Sequence, residues 1–414
     1  MVSWTRQIFI ILSIFGSLSS YAHISMRTQK GRNVEWKEGR VLNFAGNPRN
    51  NNRVSDSELF SAVTSVLDLW QRASGNRFQW DYWQGTDLSI YEANSNYNGQ
   101  SSIYFTSQSG EDFGWEVIGK TEVWYDTKTG EIFEADIALN DRYYPFVGTG
   151  AVDLTAVLTH EMGHALGLTH TGVEDASLYP YYQSSQAALT CDDRIGAQAQ
   201  FDGVSSSSGV LEGRVELPSG SNVFGAHVRA FSVDRSRTYS GTLSDKDGSF
   251  RLEGLPEGDY IVTVEAFQPG ESALTEYYHG LNVPLLCTQN GTVVLSDSDF
   301  QIGLGSKVQV GTIALSCETD LPRYSYQTAD SMTRSMAGAT RYPSSDSNCA
   351  MKTEPVEYQS PAGDPPRSFA DGSGGWCSGA ESVRYQAKRE MDFSWLLVAS
   401  IAVGQIFRSR KKPC

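Results

Sequence analysis

The sequence predicts an α+β domain followed by an all-β sandwich. Three observations carry this. A first stretch mixes segments of helical periodicity with short strand-like runs. One of its helical segments contains HEMGHALGLTH, His160 to His170, which holds three of the chain's six histidines. A second stretch is a series of short β-signals separated by turns, with no helical period.

Taken in order, residues 1–22 have the layout of a secretory signal. Arg6 supplies a positive start, Ile8 to Leu18 a short apolar core, and Ser20-Tyr21-Ala22 a small-x-small cleavage site. The expected mature chain starts at His23 and is exported. The alternative is an uncleaved anchor, but the apolar run is short for a span of about 20 residues. The first domain is expected over 23–205. Its first helix is signalled at Ser55 to Ala73, where Ser55 and Glu58 can form a capping box. Leu59, Val63, Val66, Leu67 and Trp70 make its apolar stripe. Strand-like pieces follow at Leu88 to Tyr91, Ser102 to Thr106, Glu116 to Tyr125 and Glu131 to Leu139. Asp126 to Gly130 (DTKTG) reads as the turn of a hairpin between the last two. A second helix starts after Asp153, a good N-cap, and turns Leu154, Val157, Leu158, Met162 and Ala165 toward the sheet. A third is expected from Asp192 to Phe201, capped by Thr190.

The second helix carries the chemistry. His160 and His164 lie one turn apart on the same face. Gly167 can take a left-handed conformation and end the helix, so that His170 returns as a third ligand. Three neutral imidazoles leave one tetrahedral position of a Zn2+ ion open for water, as catalytic rather than structural zinc sites do. Glu161 is placed to meet that water as general base rather than to bind the metal. Two histidines four apart with a glutamate between also occur in ordinary amphipathic helices; the glycine and third histidine at fixed offsets make that bland reading much weaker. Asp153, seven residues before His160, reads as a cap and not a ligand. Asp136 either binds a cation or supports the sheet.

At these residues the chain resembles the matrixin branch of the metzincin metallopeptidases. The resemblance runs from about Arg40 to Gly203. It rests on the zinc motif, on TGEIFEADIALN (Thr129 to Asn140), on VDLTAVLTHEMGHALGL (Val152 to Leu168) and on LTCDDRIGAQAQFDG (Leu189 to Gly203). It implies a metzincin-type catalytic domain: a twisted mixed sheet with three helices, two behind the sheet and one closing the lower lobe, and an edge strand along the cleft. The activity implied is zinc-dependent endopeptidase cleavage of a protein or peptide held extended against that strand. Leu178 stands where the family carries the methionine of its Met-turn. The resemblance places Pro180, Tyr181 and Tyr182 in the wall of a substrate pocket; packing of the tyrosines against the third helix is the equal alternative. Two properties of the animal relatives are not expected. No cysteine precedes Cys191 to serve as a propeptide latch, and outside the motif only His23 could serve a second zinc.

The second domain is expected over 206–317, from LEGRVEL, AHVRAFSV, GSFRLEGL and DYIVTVEAF, with turns at Asp245 to Gly248 and Pro256 to Asp259. Its pattern resembles the carboxypeptidase-regulatory-like β-sandwich, usually an accessory without chemistry of its own. Asp245 and Asp247 have the spacing of calcium ligands, but the rest of a calcium loop is missing. A hairpin turn is the favoured reading and Ca2+ is unsupported. Asn290-Gly291-Thr292 is a glycosylation sequon or a turn. Residues 318–375 read as a Ser/Pro/Gly-rich linker. Residues 376–414 hold a short apolar helix, Phe393 to Phe407, followed by Arg408, Arg410, Lys411 and Lys412. This layout resembles the C-terminal sorting signals of bacterial exported proteins and implies a membrane contact, transient or kept; a plain anchor or a buried helix is the alternative.

Net charge of −15 and the lack of a basic stripe exclude nucleic acid as a partner. The six cysteines show no C-x-x-C spacing, and export permits disulfides; 287–317 and 349–377 are the favoured pairs. The expected protein is a monomeric, secreted or surface-anchored zinc endopeptidase. Its rival is a catalytically inactive, metalloprotease-like adhesion protein, against which the retained Glu161 argues.

Overall fold

The computed structural model describes residues 24–265 apart from 29–31, 38, 51–53, 86–96, 116, 174, 181, 202–207 and 234–236, then 294–315 apart from 297–298, and 383–387. The expected signal, linker, sequon and apolar C-terminal segment, the strand at Leu88 to Tyr91 and the favoured cysteine pairs lie outside these residues. Among the described residues no helix is long and apolar enough to cross a membrane.

The first half builds β1 (Val41–Gly46), α1 (Asp56–Ala73), β2 (Gln79–Gln84), β3 (Ser101–Phe105), the single-turn α2 (Thr106–Ser109), β4 (Gly119–Tyr125), β5 (Ile132–Leu139), α3 (Leu154–Ala165) and α4 (Cys191–Phe201). The capping box of α1 forms as the sequence predicts, with Ser55 and Glu58 each accepting from the other's backbone N–H. All five residues of its apolar stripe are buried. Asp153 caps α3 by accepting from Thr155 and Ala156 N–H at 2.8 and 3.2 Å. At α4 the capping differs from expectation. The Thr190 hydroxyl donates to Asp193, and Asp193 also accepts the Thr190 backbone N–H, both at 2.8 Å. The carboxylate three residues in is a charged acceptor and takes both donors.

Strands β1 and β2 carry little alternation in sequence and were not expected. The sheet is mixed, as the resemblance implies. Parallel pairings join β2 to β1, β1 to β3 and β3 to β5, and β4 lies antiparallel on β5. Beyond β4 a further strand, β14 (Val383–Ala387), pairs with it in parallel, so β4 is not the edge strand the resemblance implies, and five residues of the expected C-terminal sorting segment take that edge. Helices α1 and α3 cover one face of the sheet and enclose a core that includes Phe44, Leu67, Trp70, Ile137, Leu158 and Met162.

The second half folds as two sheets. One contains β7 (His227–Ser232), β8 (Arg237–Leu243), β10 (Gly258–Glu265), β11 (Val294–Leu295) and β12 (Phe300–Ile302). The other contains β6 (Gly209–Glu216), β9 (Ser249–Leu255) and β13 (Lys307–Ala314). Leu211, Phe250, Leu252, Tyr260 and Val262 meet in one core, so the pair is a sandwich. The turn at Asp245 to Gly248 forms, closed by a 2.8 Å bond from Gly248 N–H to Asp245 O. It is not a ladder hairpin, because β8 and β9 belong to opposite sheets and the turn carries the chain across the edge of the core.

Helix α4 is shared between the two halves. Ala197 and Phe201 pack in the core beneath the first sheet, and Cys191 and Ile195 in that of the sandwich. Asp192 is buried at this contact and accepts the Gly241 N–H of β8 at 2.8 Å. Cys191 is disulfide-bonded, a role the favoured pairs left out.

Candidate metal centre

The end of α3 is closed as the sequence requires. Gly167 has φ +96°, its N–H bonds His164 O at 2.9 Å, and Leu168 N–H bonds Gly163 O at 3.1 Å. This is a Schellman closure, which turns the chain sharply off the helix axis. A Cβ at Gly167 would stand 2.2 Å from Val34 O and 2.5 Å from Gln200 Nε2, so only glycine fits. The outgoing chain is held on both sides. Met26 N–H donates to Gly167 O, and Thr169 N–H to Ile24 O, each at 2.8 Å. Gln200 of α4 donates to Leu166 O at 3.0 Å and Val34 O at 3.1 Å, and accepts from Ser25 at 3.0 Å. His170 is thereby returned toward the helix.

The three imidazoles converge. Their Nε2 atoms lie 3.1 Å (His160–His164), 3.2 Å (His160–His170) and 3.2 Å (His164–His170) apart. His160 Nδ1–H donates to Ser177 O at 2.7 Å, and His164 Nδ1–H to Leu168 O at 2.9 Å. These bonds fix the tautomer and turn the Nε2 lone pairs inward. All three rings are fully buried. Burial lowers the pKa of His160 well below the ordinary value and that of His164 to about 4, with a further push on His160 from His164. These two rings therefore stay neutral, the form a metal requires. Tetrahedral Zn2+ with bonds of about 2.0–2.1 Å needs ligand nitrogens about 3.3 Å apart, so the donor set fits. Among the described residues it is the sole gathering of His, Cys, Asp or Glu able to hold a metal.

The other sequence candidates fall as follows. Glu161 is fully buried beside His160 and faces β4. The Thr121 hydroxyl lies 2.7 Å from its Oε2 and 3.1 Å from its backbone O. Leu178 is buried under α3 against Gly163. Pro180 is buried, and Tyr181 lies outside the described residues. Tyr182 is half-buried, and its hydroxyl accepts the Asp153 N–H at 2.9 Å, so it supports the start of α3. Asp136 accepts from the Ser102 N–H and hydroxyl at 2.8 and 2.6 Å and ties β5 to β3. Asp247 pairs with Arg214 at 2.8 Å, and Asp245 lies 3.4 Å from Arg27.

Two supporting residues escaped the sequence reading. Asp193 accepts Ser177 N–H at 2.8 Å and Leu178 N–H at 3.3 Å, together with both Thr190 donors. It holds the turn whose Ser177 O orients His160. Burial raises its pKa in spite of these donors. The adjacent acids at 192 and 193 were the available signal, but they read as a helix start. Thr121 is the second, and strand alternation gave no reason to single it out.

A mixed sheet backed by a helix bearing His-Glu-x-x-His, closed by glycine and completed by a third histidine, fits a metzincin-type fold. More particularly, residues 35–202 match the family model described as Matrixin, and residues 210–279 the carboxypeptidase regulatory-like domain. The chain carries a matrixin domain followed by a carboxypeptidase regulatory-like domain. It is similar to "Stromelysin-2" of Rattus norvegicus, 25% identical over 61% of this chain and 50% of that one. It is also similar to "Matrix metalloproteinase-2" of Drosophila melanogaster, 48% identical over 35% of this chain and 18% of that one. A third relative is "Metalloendoproteinase 4-MMP" of Arabidopsis thaliana, 45% identical over 12% of this chain and 16% of that one. The matches thus span half or less of these relatives' own lengths.

Proposed function

We propose that the chain is an exported zinc-dependent endopeptidase, with a catalytic domain over 23–205 and an accessory sandwich over 206–317. The observation that carries this is the convergence of three Nε2 atoms beside a buried carboxylate. His160, His164 and His170 would hold the metal. A bound Zn2+ supplies a Lewis acid that brings the pKa of a coordinated water from about 15.7 towards about 7 and polarises a carbonyl. Glu161 takes the proton of the attacking water on its carboxylate and later delivers it to the leaving amine. Ser177 O and Leu168 O keep two of the rings in the ligating tautomer. The burial of all four groups excludes bulk water, which strengthens each of these interactions. Substrates are proteins or peptides, and the family resemblance assigns Pro180, Tyr181 and Tyr182 to one pocket wall. The signal-like residues 1–22 and the extracellular character of proteins named matrix metalloproteinases support export. Residues 318–375 act as a linker, and residues 376–414 carry the protein to the membrane.

The test is digestion of an unbiased peptide library by the full chain, with and without a chelator, beside Glu161→Ala. The expected outcome is chelator-sensitive cleavage by the native protein, and a variant that keeps one zinc per chain but cleaves nothing. Cleavage retained by the variant would remove Glu161 from its role. A native protein that holds zinc and cleaves no peptide would favour the adhesion reading.

A further inference from the structure

We infer that Thr121 is a positioning residue for Glu161: its hydroxyl holds the carboxylate in the orientation that receives the proton, an inference that rests on the peptidase reading above. Thr121 sits on β4, where it pairs with Ile137 of β5, so its backbone is fixed within the ladder. It is fully buried. A β-branched side chain has few χ1 choices on a strand, so the hydroxyl is aimed rather than free to rotate away. It stands 2.7 Å from Glu161 Oε2, a hydrogen-bond distance for an O–H donor to an ionised acceptor.

The neighbour two positions back on the same strand face completes the slot. A Cβ at Gly119 would lie 2.5 Å from Glu161 Oε1 and 2.9 Å from its Cδ and Cγ. One strand face therefore opens at Gly119 to admit the carboxylate and donates at Thr121 to hold one of its oxygens. The charged residues of this strand are turned away by alternation: Lys120 and Glu122 pair with each other at 2.7 Å. The donor facing Glu161 from β4 is thus neutral.

The test uses the zinc-loaded full chain with Thr121→Val, which removes the hydroxyl at nearly constant shape, and Thr121→Ser, which keeps it. For the valine variant kcat for peptide cleavage is expected to fall about tenfold, with KM within about twofold and one zinc per chain retained; serine restores most of the loss. Binding of a peptide hydroxamate, whose N–H and O–H are expected to meet the same carboxylate if it is so oriented, is measured by calorimetry and should weaken in valine and recover in serine. Thr121→Ala provides a second hydroxyl-free form should the valine variant fail to fold. Native kcat and native hydroxamate affinity without the hydroxyl would overturn the inference, as would equal impairment of valine and serine. If the native chain binds zinc and hydroxamate but cleaves no peptide, the peptidase reading fails, while the hydroxamate comparison still decides the role of Thr121.

Discussion

Gly163 lies between the two helical ligands, and replacing it with alanine separates two physical accounts of a helical glycine. In an open helix Gly→Ala stabilises by about 1 kcal/mol through backbone entropy and propensity. Here the new methyl would stand 2.7 and 3.1 Å from the two Leu178 methyls and 3.0 Å from Trp70 Cζ2. Carbon contacts settle near 3.5–4.0 Å, so the neighbours must give by about 0.5–1 Å. Trp70 is fully buried, and its Nε1–H is fixed on Thr159 O at 3.0 Å. Leu178 must yield, and it is tied through its N–H to Asp193. Overpacking of this kind costs about 1–3 kcal/mol, so the propensity gain is outweighed and Gly163→Ala is expected to destabilise by about 1 kcal/mol. Zinc should also bind more weakly, because Leu178 adjoins the Ser177 carbonyl that holds His160. The assay is urea unfolding of the metal-free full chain, with zinc affinity measured in parallel. Adding Leu178→Ala should make room for the methyl, so the double variant should cost less than the sum of the singles by about 1 kcal/mol. A stabilised Gly163→Ala, or a cycle additive within about 0.5 kcal/mol, would refute the crowding argument.

Two further outcomes follow from the same site. Asp193→Ala leaves the buried N–H groups of Ser177, Leu178 and Thr190 without their acceptor, at about 1–3 kcal/mol each. Unfolding at lower urea and weaker zinc binding are expected; a variant with native values for both would show that water or a neighbour replaces the carboxylate. The metal-free protein should lose stability in acid. His160 and His164 are neutral in the fold with lowered pKa values, the latter about 4, whereas unfolded imidazoles protonate near 6.5. Their contribution is therefore full above about pH 6.5 and falls as the pH drops toward the folded values. His164 alone accounts for about 3 kcal/mol, read as a shift of the urea midpoint between pH 7 and 4. A midpoint unchanged over that range would mean that the rings are not held neutral.

The parts of this protein legible in its sequence are those fixed by neighbours along the chain. The capping box at Ser55 and Glu58, the cap at Asp153 and the Gly167 closure involve residues within a few positions of each other, and each forms as expected. The convergence of His160, His164 and His170 was legible because a helix and one turn bring them together. Contacts between distant segments were not. β1 and β2 are united by parallel pairing across α1, and β2 carries Gln79, Asp81 and Gln84 on a largely exposed strand. Thr121 reaches Glu161 across 40 residues. Asp193 serves a turn about 15 residues earlier. Local pattern also misjudged the Asp245 turn, because which sheet a strand joins is settled by the core it covers and not by the turn beside it.

The sharing of α4 has a consequence for how this molecule can be divided. Sequence similarity draws a seam over residues 203–209, between two recognisable modules. Packing draws no seam there, because one flank of the preceding helix is sealed only by the sandwich, and the strand that seals it takes the buried Asp192 as its partner. Cutting the gene at that seam would strand Ile195 and Asp192 in water while leaving His160, His164 and His170 in place. A shuffled or trimmed descendant would thus keep the histidine signature and lose the wall behind it.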